Sequence, residues 1–466
     1  MAVADVTRPR SVSAGDGTDV LGHPRGLMFL IFAEGWERFS FYGMQALLVL
    51  YMGERVLLPG HVDHVAGFAV FKGAIFQVTG PLSTPALASI IFGLYGGLVY
   101  VTPLIGGLVA DRWLGRTPVV AGGAALMALG HFLMAFEASF LLALTCLVVG
   151  VGGFKGNIST QVGALYAPGD ARRPSAFQMF FLGINFAVIF SPLVCGTLGE
   201  SFGWHWGFGA AGVGMLLGLA VYLSGRRWLP PDAVRGAKAR ASRKISLTRA
   251  EWLRTALLVA LVPVLATAAI GNFQGFNAYL VWAKASYDLT VLGRAIPVTW
   301  LVSLGGVGGL VMISLSLAFW RWWARRWREP NEIGKVAIGA VIMAVAPLVL
   351  SLAALQAAHG HKVSLAWALG YEVINDFGYA NLVPVSYALF TRAAPPSIGG
   401  TMIAICLLQF FVANMLVGAV GTLLEPLGGP LFWLLHAGLA GGAALLLLGV
   451  WRVLGKTLSP VSTPVA

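Results

Sequence analysis

Glu34, Glu37 and Arg38 stand inside an apolar stretch that runs from about Leu27 to Met52. On a helix, Glu34 and Arg38 are four residues apart and Glu34 and Glu37 three, so all three project to one side. Ionisable groups at bilayer depth are expensive, and they mark ion or substrate paths. Lys155 is a further cation inside an apolar run. Together these residues form a set of two acids and two bases with no net charge when all are ionised. Burial favours the neutral carboxyl, whereas a nearby cation favours the carboxylate. A glutamate whose cation partner comes and goes can therefore take up and release a proton near neutral pH. When a substrate carboxylate engages Arg38 or Lys155, a glutamate loses its partner and takes a proton. That couples proton movement to binding. The plainer alternative is a static ion network pinning two helices together, but a buried ion pair is rarely placed for stability alone.

The elements that must position these groups are membrane helices. Hydrophobic residues make up 58% of the chain and charged residues 11%, against about a quarter charged in soluble domains. The mean hydropathy is +0.80. A span needs about 20 mostly apolar residues, and twelve stretches qualify, near 27–52, 86–110, 117–137, 139–166, 174–199, 204–224, 251–283, 297–320, 335–356, 364–390, 398–421 and 430–452. An even count puts both termini on one side. That side, with its loops, holds 24 of the 31 Lys and Arg. The opposite side holds five, Arg55, Lys72, Lys284, Arg294 and Lys362, and Arg38 and Lys155 lie within helices. This asymmetry is the positive-inside rule, so the termini are expected in the cytoplasm. The net charge of +12 is then mostly topology, and no nucleic-acid partner is expected.

A basic stretch from about Arg226 to Arg249 divides two groups of six helices. The expected organisation is an N-terminal tail (1–26), a first six-helix bundle (27–228), a basic linker (229–250), a second bundle (251–452) and a C-terminal tail (453–466). A 6+6 layout with a substrate site at the midplane between halves is the pattern of major facilitator transporters. The turn after helix 2, from Gly107 through Asp111-Arg112 to Gly115-Arg116, resembles that superfamily's loop signature. Its Asp can meet a helix N-terminus and its Arg a helix C-terminus.

The run Glu34, Glu37-Arg38-Phe39-Ser40-Phe41-Tyr42-Gly43 resembles the proton-dependent oligopeptide transporter family. Further family-like blocks lie at Tyr95 to Gly107 in helix 2, Gly152 to Ser159 in helix 4 and Gly183 to Pro192 in helix 5. The family normally has Pro at the place of Gly156 and Tyr at that of Phe41. The resemblance implies an all-α integral membrane protein of twelve transmembrane helices in two six-helix bundles. The helix pair many bacterial members insert between the halves is absent, because the connector is too short for it. The resemblance also implies that Arg38 and Lys155 meet a substrate's carboxylate end, and that Tyr42, Tyr100 and Asn185 contact a peptide's backbone or side chains. Gly150, Gly152, Gly153 and Gly156 around Lys155 allow close helix packing and room for a ligand.

The second half matches less well. Helix 7 reads Phe273-Gln274 where the family has an acid before Gln. Helix 8 has Ser303-Leu-Gly305-Gly306 where the family has an Asn. Helix 10 has Tyr379 where the family has a Glu. By resemblance, that Glu and that Asn hold a peptide's ammonium group. Glu372 and Asp376 are the acids inside helices of this half, one turn apart, and Asp376 could supply the charge missing at 379. The alternative places both at the periplasmic mouth as hydrated groups. Asn272, Gln274 and Asn277 give helix 7 a neutral amide face, which recognises hydrogen-bonding groups without selecting a cation. The expected substrate therefore bears a carboxylate but need not bear a free α-ammonium.

The leading reading is a proton-coupled symporter that imports small peptides or peptide-like carboxylates by alternating access. An exporter or exchanger, and a transporter-like nutrient receptor, are the alternatives. No zincin-type His motif or nucleophile elbow points to an enzyme. No cofactor is expected beyond protons as coupling ion, and the expected partners are substrate and lipid, with the chain a monomer. Cys146, Cys195 and Cys406 read as packing residues. His61 and His64 read as a solvated loop rather than a metal site, and His131 as a weak proton-relay candidate. The first twenty residues are polar with no apolar core, so no cleavable signal peptide is expected, and a bacterial inner membrane is the expected location.

Overall fold

A computed structural model describes residues 19–167, 169–232 and 247–458. Nearly all of them are helical, because backbone polar groups in a long apolar run have only each other as partners. The exceptions include two short hairpins, Asp19–Val20 with His23–Pro24 and Thr290–Val291 with Arg294–Ala295. In the first half of the chain the helices are α1 (Arg25–Tyr51), α2 (Phe68–Thr79), α3 (Thr84–Val109), α4 (Arg116–Leu133), α5 (Phe140–Ala164), α6 (Arg173–Ser191), α7 (Thr197–Phe202) and α8 (Trp204–Ser224). The second half contains α9 (Arg249–Ala268), α10 (Ile270–Phe273), α11 (Ala278–Ser286), α12 (Trp300–Ala324), α13 (Glu332–Ala357), α14 (Ala366–Ala393), α15 (Gly399–Gly421) and α16 (Leu424–Leu458).

Nine helical stretches among the described residues are long and apolar enough to cross a membrane. Three more long helices, α1, α4 and α14, run beside them with 27, 18 and 28 residues. The helices fall where the apolar runs fall, with informative differences. The seventh run is not one helix: it breaks into α9, α10 and α11, with Asn277 at φ −122° and ψ −116°. The loop after α1 contains α2, whose twelve residues are too few to read as a span. The last helix turns sharply at Gly428 (φ 69°) and runs on to Leu458, past the end expected at 452. The expected linker lies mostly outside the described residues.

Local chemistry fixes several helix starts. Thr248 and Glu251 form a reciprocal capping box at α9, and Asn331 caps α13. The start of α4 is capped from a distance, since Asp232 accepts from the Thr117 backbone N–H at 2.9 Å and from its hydroxyl at 3.1 Å. Asp111 pairs instead with Arg116 at 3.0 Å.

Within the first half, α1 packs on α6 and α8, and α5 on α3 and α4. Within the second, α13 packs on α14 and α16, and α12 on α14. The halves meet where α3 lies on α15, α6 on α12 and α1 on α11. The α3–α15 contact depends on small residues: a Cβ on Gly93 would stand 2.6 Å from Gly418 Cα, and one on Gly96 would overlap Asn414. Such approaches are how membrane helices gain packing without a hydrophobic driving force.

Candidate functional site

The α1 charges come together as their spacing requires. Arg38 Nε donates to Glu34 Oε1 at 2.8 Å and stands 2.9 Å from Glu37 Oε2. All three are buried, Glu37 completely. Glu34 Oε2 and both Glu37 oxygens accept no hydrogen bond. One guanidinium thus serves two carboxylates.

Lys155 does not join this pairing. Its Nζ lies 4.1 Å from the Tyr100 ring centroid and 6.0 Å from that of Phe41, outside ion-pair distance of either glutamate. A cation over an aromatic face gains about 0.5–2 kcal/mol. The expected partnership of Lys155 with a glutamate is therefore not formed in this conformation. Close packing places α5 so that Lys155 can reach this point: a Cβ on Gly106 of α3 would overlap Gly152 O of α5, and Asn157 donates to Gly106 O at 3.3 Å.

The tyrosines lie along the seam between the halves. Tyr42 stacks on Phe276 of the second half at 6.0 Å, and Tyr100 on Phe410 at 5.0 Å. Tyr379 lies within electrostatic reach of Tyr100, Tyr42 and Asp376. Asp376 and Glu372 are both buried on α14, facing α12. Asn185 is half-buried on α6, and its amide donates to Phe181 O of its own helix at 2.9 Å, away from the charge set.

Gln274 and Asn277 are fully buried rather than presented as a free amide face. Gln274 donates to Val417 O at 3.3 Å, and Asn277 donates to Ser89 Oγ at 2.6 Å and to Gln274 Oε1 at 3.2 Å. Asn277 thereby ties helix 7 to α3. Further ties between the halves are Lys284 with Glu54 at 2.6 Å, Ser83 with Glu425, and Glu200 with the backbone of Val298 and Thr299, both at 3.1 Å. Among the described residues, every such polar tie sits at the helix ends remote from the chain termini. On that side the two halves are tied together, and the amides belong to those ties.

The POT family model matches residues 117–255. The peptide transporter YePEPT of Yersinia enterocolitica is 29% identical over 483 residues, which covers 88% of this chain and 90% of that protein. A di-/tripeptide transporter of Lactococcus lactis is 28% identical and covers 87% of this chain and 90% of its own length. Among solved structures, the peptide transporter POT in complex with sulfate superposes with a TM-score of 0.81 at 26% identity, covering 95% of this chain and 97% of that one. A mutant of the peptide transporter POT in complex with alafosfalin gives 0.79 at 27% identity, covering 94% and 96%. The chain is similar to POT peptide transporters over most of its length.

Its long apolar helices make it a multi-pass membrane protein, and the proteins it resembles are transporters rather than enzymes. Of the residues singled out from sequence, the structure gathers Glu34, Glu37, Arg38, Tyr42, Tyr100, Lys155 and Tyr379 around the seam, with Asp376 next to Tyr379. It leaves Asn185 aside and puts Gln274 and Asn277 among the ties between the halves. Sequence reasoning missed Tyr95, which is buried within the field of Glu37 and Arg38 with no partner for its hydroxyl. It could have been found one helical turn before Tyr100 plus one residue, on a helix already marked by that tyrosine. His61 is not simply solvated: it and Arg55 both hold Glu137, at 2.9 and 2.6 Å, and so brace the outer loop. His131 is buried, and its Nδ1 has no hydrogen-bond partner among the described residues.

Proposed function

We propose that this protein is a proton-coupled symporter that imports small peptides or peptide-like carboxylates by alternating access. The observation that carries the reading is the arrangement around Arg38. One buried guanidinium is shared by two acids, and an uncommitted Lys155 stands close by over Tyr100. Arg38 and Lys155 take the substrate carboxylate. The carboxylate competes with the glutamates for Arg38, and the glutamate that is displaced takes a proton. Tyr42, Tyr100 and Tyr379 line the seam and contact the substrate's backbone or side chains. Asn185, Gln274 and Asn277 reach the substrate only in a conformation different from this one. Asp376 stands where a carboxylate could meet a cationic or hydrogen-bonding end. The acid that the family carries at 379 is Tyr here, so recognition of a free amino terminus is weakened. The peptide transporters among its relatives support the substrate class.

In this reading the chain has twelve spans in two bundles of six, at 27–228 and 251–452, joined by the basic linker. Both termini are cytoplasmic in a bacterial inner membrane, and the protein needs no cofactor and acts as a monomer. The tied face is then the outer one, and the conformation faces inward.

Uptake into proteoliposomes under an imposed outside-acid, inside-negative gradient tests the proposal. Carboxylate-bearing di- and tripeptides and their N-acylated forms should accumulate inward, and the N-acyl forms should compete at least equally. Binding without flux would support a receptor instead, and accumulation driven only in the opposite direction an exporter.

A further inference from the structure

Glu372 and Asp376 form a second buried acidic site that the Arg38 set does not explain. They lie one turn apart on one face of α14, with 8% and 5% of their surface exposed. Both face α12 at glycines: a Cβ on Gly305 would stand 3.1 Å from Glu372 Oε2, and one on Gly308 would overlap Asp376 Oδ2. Asn375 donates to Asp376 Oδ1 at 3.2 Å, while Oδ2 has no partner. No cation of the described residues reaches either carboxyl. The titratable groups facing the pair are tyrosines alone: Tyr279 and Tyr287 from the α11 side, and Tyr371 and Tyr379 on α14. Tyr279 and Tyr287 are 1% exposed and lie within the field of Glu372.

Two adjacent buried carboxylates with no counter-cation cannot both stay ionised. A metal ion would need about six oxygens around it. Here the flanking backbone is helical, and among the described residues no three His, Cys, Asp or Glu side chains cluster. A proton needs only the carboxyl pair and a hydroxyl beside it, the way two acids share one proton elsewhere.

We infer that Glu372 and Asp376 together hold one proton that crosses with the substrate, as a second coupling site in the second half of the chain. This rests on the transport reading above. The pair is doubly ionised only while water from one side of the membrane reaches it, and the proton it takes up there changes its charge from minus two to minus one as it becomes buried. The proton leaves to the other side when the helices rearrange. Tyr379 lies within electrostatic reach of Asp376 and of Tyr42 and Tyr100.

The test is the proton-to-substrate ratio, measured from the reversal potential of uptake in proteoliposomes. The wild type should move at least two protons per substrate. Glu372→Gln with Asp376→Asn should lower the ratio by one in whatever substrate flux remains. A wild-type ratio of one overturns the inference, and that measurement needs no variant to fold. An unchanged ratio in the double variant overturns it too, as does a reversal potential that follows sodium. A variant that loses affinity only for ammonium-bearing ligands at an unchanged ratio overturns it in favour of substrate recognition. If the wild type shows no substrate-linked flux, the transport reading fails and takes this one with it; flux at an unchanged ratio sinks only this one.

Discussion

The two glutamates of α1 are not equivalent. Glu34 accepts a hydrogen bond from Arg38 Nε, whereas Glu37 is within ion-pair distance but accepts none on either oxygen. A charged hydrogen bond is the stronger hold, so the proposed coupling assigns Glu34 the static role and Glu37 the role of trading its charge for a proton. Glu37→Gln should therefore abolish uptake driven by a pH gradient and preserve substrate counterflow, which needs no net proton movement. Glu34→Gln should weaken substrate binding by releasing Arg38, with gradient dependence retained. Counterflow and gradient-driven uptake, measured on both variants, check the asymmetry; identical phenotypes would refute it. Arg38→Lys tests the same site from the cation side. Lysine keeps the charge but not the planar fork, and leaving buried acids poorly paired costs about 3–5 kcal/mol. Uptake by Arg38→Lys should fall at least about tenfold.

At the scale of elements, the seam between α3 and α15 is set by Gly93, Gly96 and Gly418, with Gly421 against Ser89. These glycines hold the two halves together on the tied face. Gly93→Val would force them apart there, and overpacking of this kind costs about 1–3 kcal/mol. That shifts the balance of conformations roughly 5- to 150-fold away from the tied form. A cysteine placed at Ser89 should become reactive to a membrane-impermeant thiol reagent from outside in Gly93→Val and stay protected in the parent. Equal protection in both would show that the glycine contact does not set the closure of that face. The elements themselves were legible in the sequence because a bilayer allows few solutions: apolar runs of about 20 residues become helices. The break at Asn277 was not legible, since no proline or glycine run announces it, and its cause is a set of partners on α3 and α15 that are distant in sequence. The α1 charge cluster was legible for the opposite reason, because helical spacing alone brings Glu34, Glu37 and Arg38 together. The station of Lys155 over Tyr100 depends on how α5 packs against α3, and spacing within one helix carries no information about that.

At the scale of the molecule, the polar ties between halves are asymmetric. Glu54 with Lys284, Ser83 with Glu425, Ser89 with Asn277 and Glu200 with Thr299 all lie on the face remote from the termini. Each tie is modest, because an exposed ion pair such as Glu54–Lys284 contributes roughly 0–1 kcal/mol. A set of several weak ties can open and reform, as alternating access requires, whereas a single strong lock would trap one state. Fixing one tie covalently should then stop the cycle. Cysteines at Glu54 and Lys284, bridged by a short reducible bifunctional thiol reagent, should lose uptake in proportion to cross-linking and recover it on reduction. The native cysteines, Cys146, Cys195 and Cys406, are all buried and free, so background reaction should be low. Substrate should still bind the cross-linked protein from the side of the termini, because Arg38 and Lys155 lie beyond the ties on that side. Full cross-linking with undiminished uptake would mean that this face does not open during transport, and that the asymmetry of the ties has another cause.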